Sequence, residues 1–189
     1  MKTNCKILLS SRLRIATSNL EIEKIWALRN TEYKKYYSQF SESNNDPYDE
    51  ISLVMYSNNK QQQIISTGRI AFDGSLGLPS DKVIKPALDK LRQQGLILAE
   101  PSKFAIAREA RGILPTYLST FYKVAQKQRI DSLIFIIRDK NVGLYKKIIN
   151  AHVLVEDVGY SYGTDYQFSL LECRINKKLP TYFQTQEKH

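Results

Sequence analysis

Cysteine is scarce in this chain. Only Cys5 and Cys173 occur among 189 residues, near opposite ends, and neither has a partner at metal-ligand spacing. The two histidines, His152 and His189, do not complete a metal set either. Zinc chemistry and thiol catalysis therefore make poor readings, no metal site is expected, and the cysteines are read as ordinary thiols of a reducing compartment. Long apolar runs are also lacking, with nothing near the roughly 18 residues that span a bilayer. Met1 to Ser10 has a basic start at Lys2, but its apolar stretch is shorter than the about 7–15 residues of a signal-peptide core. No small-residue cleavage site follows it. The expectation is a cytoplasmic protein without a transmembrane segment. Internal repeats and linkers are missing as well, so residues 1–189 are read as a single domain.

What is present is ordinary in composition and unusual in charge. Hydrophobic residues make up 42% and charged residues 25%, enough for a packed core at this length. Lysine and arginine number 28 against 19 acidic residues, giving a net charge of +9. Such a field suits an acidic partner, whether nucleic acid, an anionic membrane or an acidic protein, and it equally describes a solvated basic surface. The basic residues are dispersed, with no run of five, so nucleic acid has no motif to rest on.

Arg12 to Ala16 alternates as a short strand, and Ser18-Asn19-Leu20-Glu21 reads as a capping box opening a helix. That helix carries Leu20, Ile22, Ile25, Trp26, Leu28, Arg29 and Tyr33; Trp26 reads as core, with a ligand platform as the alternative. Phe40 to Asp49 is expected to be a polar loop, and Leu53–Tyr56 and Ile64–Phe72 a hairpin joined through Ser57-Asn58-Asn59-Lys60. Asp81 to Gln94 reads as a helix ending at Gly95, Ile97 to Ala107 as a long strand, and Leu114 to Gln128 as a helix. The apolar run Leu133–Ile137 suits a strand buried on both faces. A short helix over Asn141–Asn150 and strands over Val153–Glu156 and Tyr166–Ile175 close the chain. Strands and helices in this order give a mixed α/β sheet, twisted and with helices on both faces.

Several polar groups stand out against that frame. The long strand opens on Glu100-Pro101-Ser102-Lys103 and runs through Phe104-Ala105-Ile106 into Arg108-Glu109-Ala110-Arg111-Gly112, just before a helix. A strand–turn–helix with basic residues and a glycine in the turn is a phosphate cradle, because helix N-terminal amides face outward. Upstream lie Arg29 and Tyr33 on the first helix, Asp46-Pro47-Tyr48-Asp49 in the loop, and Arg69 in Gly68-Arg69-Ile70. Downstream, Leu144-Tyr145-Lys146-Lys147 sits on the short helix.

Taken together, and over roughly residues 12 to 150, these pieces resemble the autoinducer synthase-like branch of the GNAT superfamily. That branch holds acyl-homoserine-lactone synthases and long-chain N-acyl amino acid synthases. The resemblance implies a GNAT-like acyl-CoA N-acyltransferase fold. It also implies a cleft lined by an arginine, an Asp-x-x-Asp pair, a strand arginine and a Glu-x-x-Arg motif, matched here by Arg29, Asp46, Asp49, Arg69, Glu100 and Lys103. Gly112 matches the first glycine of the GNAT pyrophosphate loop, while Leu114 stands where a small residue is usual. Tyr145 matches a tyrosine near the thioester sulfur, but the glycine-phenylalanine that usually follows is replaced by Asn150-Ala151-His152. Lys103 stands in place of the motif arginine, keeping charge without the bidentate fork. The tryptophan expected after the first-helix arginine in lactone synthases is missing, with Tyr36, Tyr37 and Gln39 nearby. Both departures favour the N-acyl amino acid synthase side.

The resemblance thus implies attack of an amino-acid α-amine on an acyl thioester. Glu100 is the candidate base, or else a structural partner of Arg69 or Lys103. Asp46 and Asp49 hold either the substrate ammonium or Arg29 and Arg69. Tyr145 is a general acid or a packed core tyrosine. Strand N–H groups near Phe104 or Ile106 are oxyanion donors, and Arg108 and Arg111 meet the phosphopantetheine phosphate. The imperfect phosphate loop and the basic charge point to an acyl carrier protein as donor ahead of acyl-CoA, with no permanently bound cofactor. The alternatives are a homoserine-lactone synthase using S-adenosylmethionine and a non-catalytic module binding nucleic acid or protein.

Overall fold

The computed structural model describes residues 12–37, 46–159 and 165–186. Cys5, Gln39, most of the expected polar loop and His189 lie outside them. The elements are β1 (Arg14–Ile15), α1 (Asn19–Lys34), α2 (Pro47–Ile51), β2 (Ser52–Asn58), β3 (Ile64–Phe72), α3 (Asp81–Gln93) and β4 (Leu98–Ile106). They continue with α4 (Leu114–Lys127), β5 (Ser132–Arg138), α5 (Val142–Ile149), β6 (His152–Val155), β7 (Phe168–Arg174) and α6 (Thr181–Gln186). The strands form one sheet in the order β1-β2-β3-β4-β5-β7-β6, antiparallel throughout except for the β4–β5 pair.

Local chemistry explains most element ends. Ser18 caps α1 as expected: its hydroxyl accepts from the Glu21 N–H at 3.3 Å, and the Glu21 carboxylate accepts from the Ser18 N–H at 2.9 Å. The same carboxylate takes the Tyr56 hydroxyl at 2.5 Å, the largest of the hydrogen bonds that hold its pKa down at about 2. α2 corrects the expected loop. Asp46 caps it by accepting from the Tyr48 N–H at 3.0 Å, and Pro47 opens it with φ already set for a helix. α3 breaks at Ile84 (φ −141°), two residues ahead of Pro86, which has no N–H to donate and whose ring would clash with the carbonyl four residues back in a continuous helix. Gly95 and Asn150, both at positive φ, end α3 and α5.

Packing covers both faces of the sheet. α4 and α5 cover one with Tyr117, Phe121 and Ile148 against Met55, Ile70, Leu133, Phe135 and Leu171. On the other, Leu88 and Leu91 of α3 meet Leu98, Ile134 and Leu170, while Ile25 of α1 meets Val54 and Tyr56. The apolar run in β5 is buried because α3 and α4 flank it, as its composition suggested. Trp26 departs from a pure core role: it is half-buried, and its indole N–H donates to Asp49 at 3.0 Å.

One close approach fixes the middle of the sheet. A Cβ on Gly68 of β3 would meet the Phe104 ring at 3.0 Å and Tyr117 at 3.2 Å. Phe104 is itself packed against Tyr117, edge-on at a centroid distance of 6.0 Å, and against Phe121, tilted at 5.8 Å. Gly68→Ala is expected to destabilise the protein by about 1–3 kcal/mol, the usual cost of overpacking, read as a lower denaturant midpoint at unchanged m-value.

Candidate active site

β4 and β5 begin as neighbours and then part. Their parallel ladder covers only Leu98↔Ser132 and Ala99↔Leu133, while β5 stays paired with β7 along its whole length. Beyond Ala99 the β5-facing edge of β4 has no ladder partner among the described residues. The Ala107 N–H donates to Ile65 on the β3 side at 2.9 Å, so strand alternation turns the N–H groups of Ile106 and Phe104 towards the gap. The register of β3 against β4 shifts between Thr67 and Arg69, where Lys103 adopts φ +56°. This bulge swings the strand away from β5 and re-aims its side chains. A cleft of about 290 Å³ fills the gap, bounded by α1, the turn before α3, and the facing parts of β4 and β5.

Glu100 lines this cleft just past the last β4–β5 pair. It is 5% exposed and accepts the Ser80 N–H at 2.8 Å. Burial pushes its carboxyl up to about 7, against the pull of that hydrogen bond and of the Arg69 charge. The Ser80 turn is itself clamped: the Leu78 N–H donates to Asp81 at 2.7 Å, and Arg92 grips both Asp81 and Asp73 with paired bonds of 2.7–3.0 Å.

Arg29, Asp46, Asp49, Arg69 and Lys103 come together beside it. Arg29 Nη1 lies 2.5 Å from one oxygen of Asp49, and Arg69 Nη1 lies 2.8 Å from the other. Arg69 also reaches Asp46 at 2.8 Å and donates from Nε to the Ser102 hydroxyl at 3.2 Å. Lys103 stands 3.5 Å from Asp46. The two aspartates thus tether arginines. Burial opposes the ionisation of Asp49, but the charges of Arg29 and Arg69 and the Trp26 hydrogen bond outweigh it and hold the carboxyl below the usual range.

The remaining candidates divide. Phe104 and Ile106 line the cleft, and Arg108, Arg111 and Gly112 are exposed where β4 leads into α4. Arg111 and Gly112 (φ +92°) border a second cavity, of about 490 Å³, with Arg12 and Arg14. Tyr145 does not reach the cleft. It is buried under the sheet with its ring 5.2 Å from Phe135, and burial pushes its phenol well above the usual value. A core tyrosine in that position gives no reason to keep it as the general acid. Sequence reasoning missed Ser80 and Trp26 as partners, and it missed Arg138 at the far rim of the cleft. Among the described residues no group of three His, Cys, Asp or Glu side chains can hold a metal ion, and no helix is long and apolar enough to cross a membrane.

The architecture is shared with known proteins. It is similar to the structure of FeeM, an N-acyl amino acid synthase from uncultured soil microbes, at 20% identity over 87% of this chain and 91% of that one, with a TM-score of 0.74. It is also similar to the AHL synthase LasI (16% identity, 90% and 93% coverage, TM-score 0.62). The CoA-dependent acyl-homoserine lactone synthase BjaI gives 10% identity, 95% and 89% coverage, and a TM-score of 0.66. No curated protein sequence matches the chain. The parted strands and these likenesses show a GNAT-like fold. The model of the N-acyl amino acid synthase FeeM family matches residues 24–174, and the chain belongs to that family.

Asp49→Asn removes the one negative charge between two buried guanidinium groups. It is expected to cost about 3–5 kcal/mol, the range for breaking a buried pair from one side, measured by urea unfolding at neutral pH. The stabilisation from Asp49 is present above the unfolded carboxyl's titration and is lost as pH falls through its lowered folded value. The deficit of the variant relative to wild type therefore shrinks in acid.

Proposed function

We propose that this N-acyltransferase joins a long-chain acyl group, delivered as a thioester on an acyl carrier protein, to the α-amine of an amino acid. The observation that carries the reading is Glu100, a buried carboxyl with its pKa near 7 beside an unpaired strand edge. A phosphopantetheine arm lying in the gap can pair with β4 as a missing strand would. The thioester oxygen then accepts from the Phe104 or Ile106 N–H, an interaction worth about 2.7–4 kcal/mol when charge develops on it.

The substrate amine arrives as an ammonium ion. One proton passes to Glu100, directly or through a water, and the freed amine attacks the thioester carbon. The C–N bond forms, the C–S bond breaks, and the second proton lost from nitrogen ends on the departing sulfur as thiol. Glu100 releases its proton to solvent after turnover. Arg29, Arg69, Asp46, Asp49 and Lys103 build the wall against which the acceptor is positioned.

A carrier-bound donor is supported by the turn before α4. The Ala110, Arg111 and Ile113 N–H groups already donate to Ala107, Arg108 and Ala110 carbonyls at 2.9–3.3 Å, and Pro115 has no N–H to offer. A pyrophosphate would find few amides there, whereas Arg108, Arg111, Arg12 and Arg14 suit a single phosphate and an acidic carrier surface. The net charge of +9 acts in the same direction.

The test is purified protein with acyl carrier thioesters and amino acids, read by thiol release and product mass. An open-chain N-acyl amino acid is expected. A lactone formed only with S-adenosylmethionine, or no thiol release with any amine, would sink the proposal. Glu100→Gln is expected to lower kcat about 10²–10⁴-fold. The wild-type rate should rise through an ionisation near pH 7, because only the carboxylate accepts a proton. Stability moves the opposite way: the folded state holds that proton above the pH at which the unfolded chain releases it, so stability falls as pH climbs towards 7. A Glu100→Gln variant with full activity and an unchanged pH profile would remove the base assignment.

A further inference from the structure

We infer that Arg138, at the end of β5, is the anchor for the carboxylate of the amino-acid acceptor; this rests on the function proposed above. Three observations lead to it. The first is position. Leu98 and Ser132 are paired neighbours, and six residues further along each strand bring Phe104 and Arg138 about level across the gap. Alternation from Ser132 puts Ile134, Ile136 and Arg138 on one face of the sheet, the face that carries Leu98 and Glu100. Arg138 therefore looks into the same cleft as Glu100, from the opposite wall.

The second is an unmet hydrogen-bonding demand. Arg138 Nη1 is buried and has no hydrogen-bond partner, and the guanidinium makes no ion pair among the described residues. The nearest carboxylate in sequence, Asp139, accepts from the Ser169 hydroxyl at 2.6 Å. The other cations lining the cleft already face carboxylates: Arg69 meets Asp46 and Asp49, and Lys103 meets Asp46. A buried guanidinium N–H left unpaired is costly, and an anion entering the cleft would relieve that cost.

The third is rigidity. The guanidinium carbon lies 4.9 Å from the Tyr36 ring centroid, 5.8 Å from Tyr37 and 4.8 Å from Tyr166. Tyr37 and Tyr166 meet edge-on at 6.3 Å. Aromatic faces hold an arginine by cation–π attraction while leaving the N–H groups in its plane for a ligand. A planar fork held in this way matches a carboxylate in two parallel bonds. Of the substrates proposed, the amino acid carries a carboxylate one carbon from the attacking nitrogen, so fixing that carboxylate also orients the amine.

The experiment compares each accepted amino acid with its own carboxamide as acceptor, using wild type, Arg138→Ala and Arg138→Lys with the same acyl carrier thioester. In Arg138→Ala, KM for the amino acid is expected to rise at least tenfold with kcat changed much less, and KM for the acyl carrier should stay put. The acid-over-amide ratio of kcat/KM should collapse by at least tenfold, a change that amine basicity cancels out of. Arg138→Lys, which keeps charge but loses the fork, should fall between the two and serves if the alanine variant does not fold. Equal losses for acid and amide, an unchanged ratio, or a KM increase confined to the acyl carrier would overturn the assignment while leaving amide formation by the wild type intact. A wild type that acylates no amine would take the functional proposal down with it.

Discussion

Two buried guanidinium groups cannot sit close together unless a carboxylate lies between them, and Asp49 is that carboxylate. Its two oxygens divide the work, one for Arg29 on α1 and one for Arg69 on β3. Arg29 and Arg69 are 0% and 1% exposed, so solvent screens almost none of the charge. Through Asp46 and Ser102 the same network reaches α2 and β4. Four elements distant in sequence are therefore held by one cluster, and α1 owes its place over the sheet as much to these ions as to Ile25. A network of this kind contributes little net stability compared with a well-packed apolar core. What it fixes is register: neither helix can slide without leaving a charge alone.

That fixed wall lets the neighbouring strand be irregular. β4 carries a proline, a left-handed lysine and a shifted register within a few residues, and it has lost its partner on one side. Such features would weaken an ordinary strand. Here β3 holds it through six antiparallel pairs on either side of Gly68, and Phe104 packs against Tyr117 and Phe121. The bulge itself lies in the β3–β4 ladder, and regular pairing resumes on either side of it. What results is a run of backbone donors and acceptors on β4 with no ladder partner among the described residues.

The sequence was most legible where chemistry is local. Ser18 and Glu21 announce α1 because a capping box is complete within four residues. The apolar run of β5 and the hairpin of β2 and β3 are set by patterns a few residues long. Arg29, Asp46, Asp49, Arg69, Glu100 and Lys103 were legible as a set that comes together in space, with Arg69, Glu100 and Lys103 lining the cleft, but their pairings were not. Whether Asp49 holds substrate or arginine depends on a contact spanning twenty residues. The environment of Glu100 depends on a turn that Arg92 clamps from eleven residues downstream. α2 did leave a local signal, an aspartate followed by proline, hidden in a segment that otherwise reads as loop. Tyr145 shows what a local pattern leaves open: of its two readings, general acid or packed core tyrosine, the sequence could not choose, and the packing of α5 against Phe135 buries it.

Charge balance explains how Glu100 can keep a pKa suited to proton transfer next to so many cations. Arg29, Arg69 and Lys103 face two aspartates, so most of their field is already answered before Glu100 is counted. The Arg69 charge pulls the Glu100 carboxyl down, and the Asp81 charge pushes it up. With them present, burial dominates and the carboxyl titrates near neutrality. Protonated, Glu100 leaves the cluster with one positive charge in excess; ionised, it leaves the cluster balanced. Neither state strands a large net charge in the interior, so the proton can come and go at modest cost.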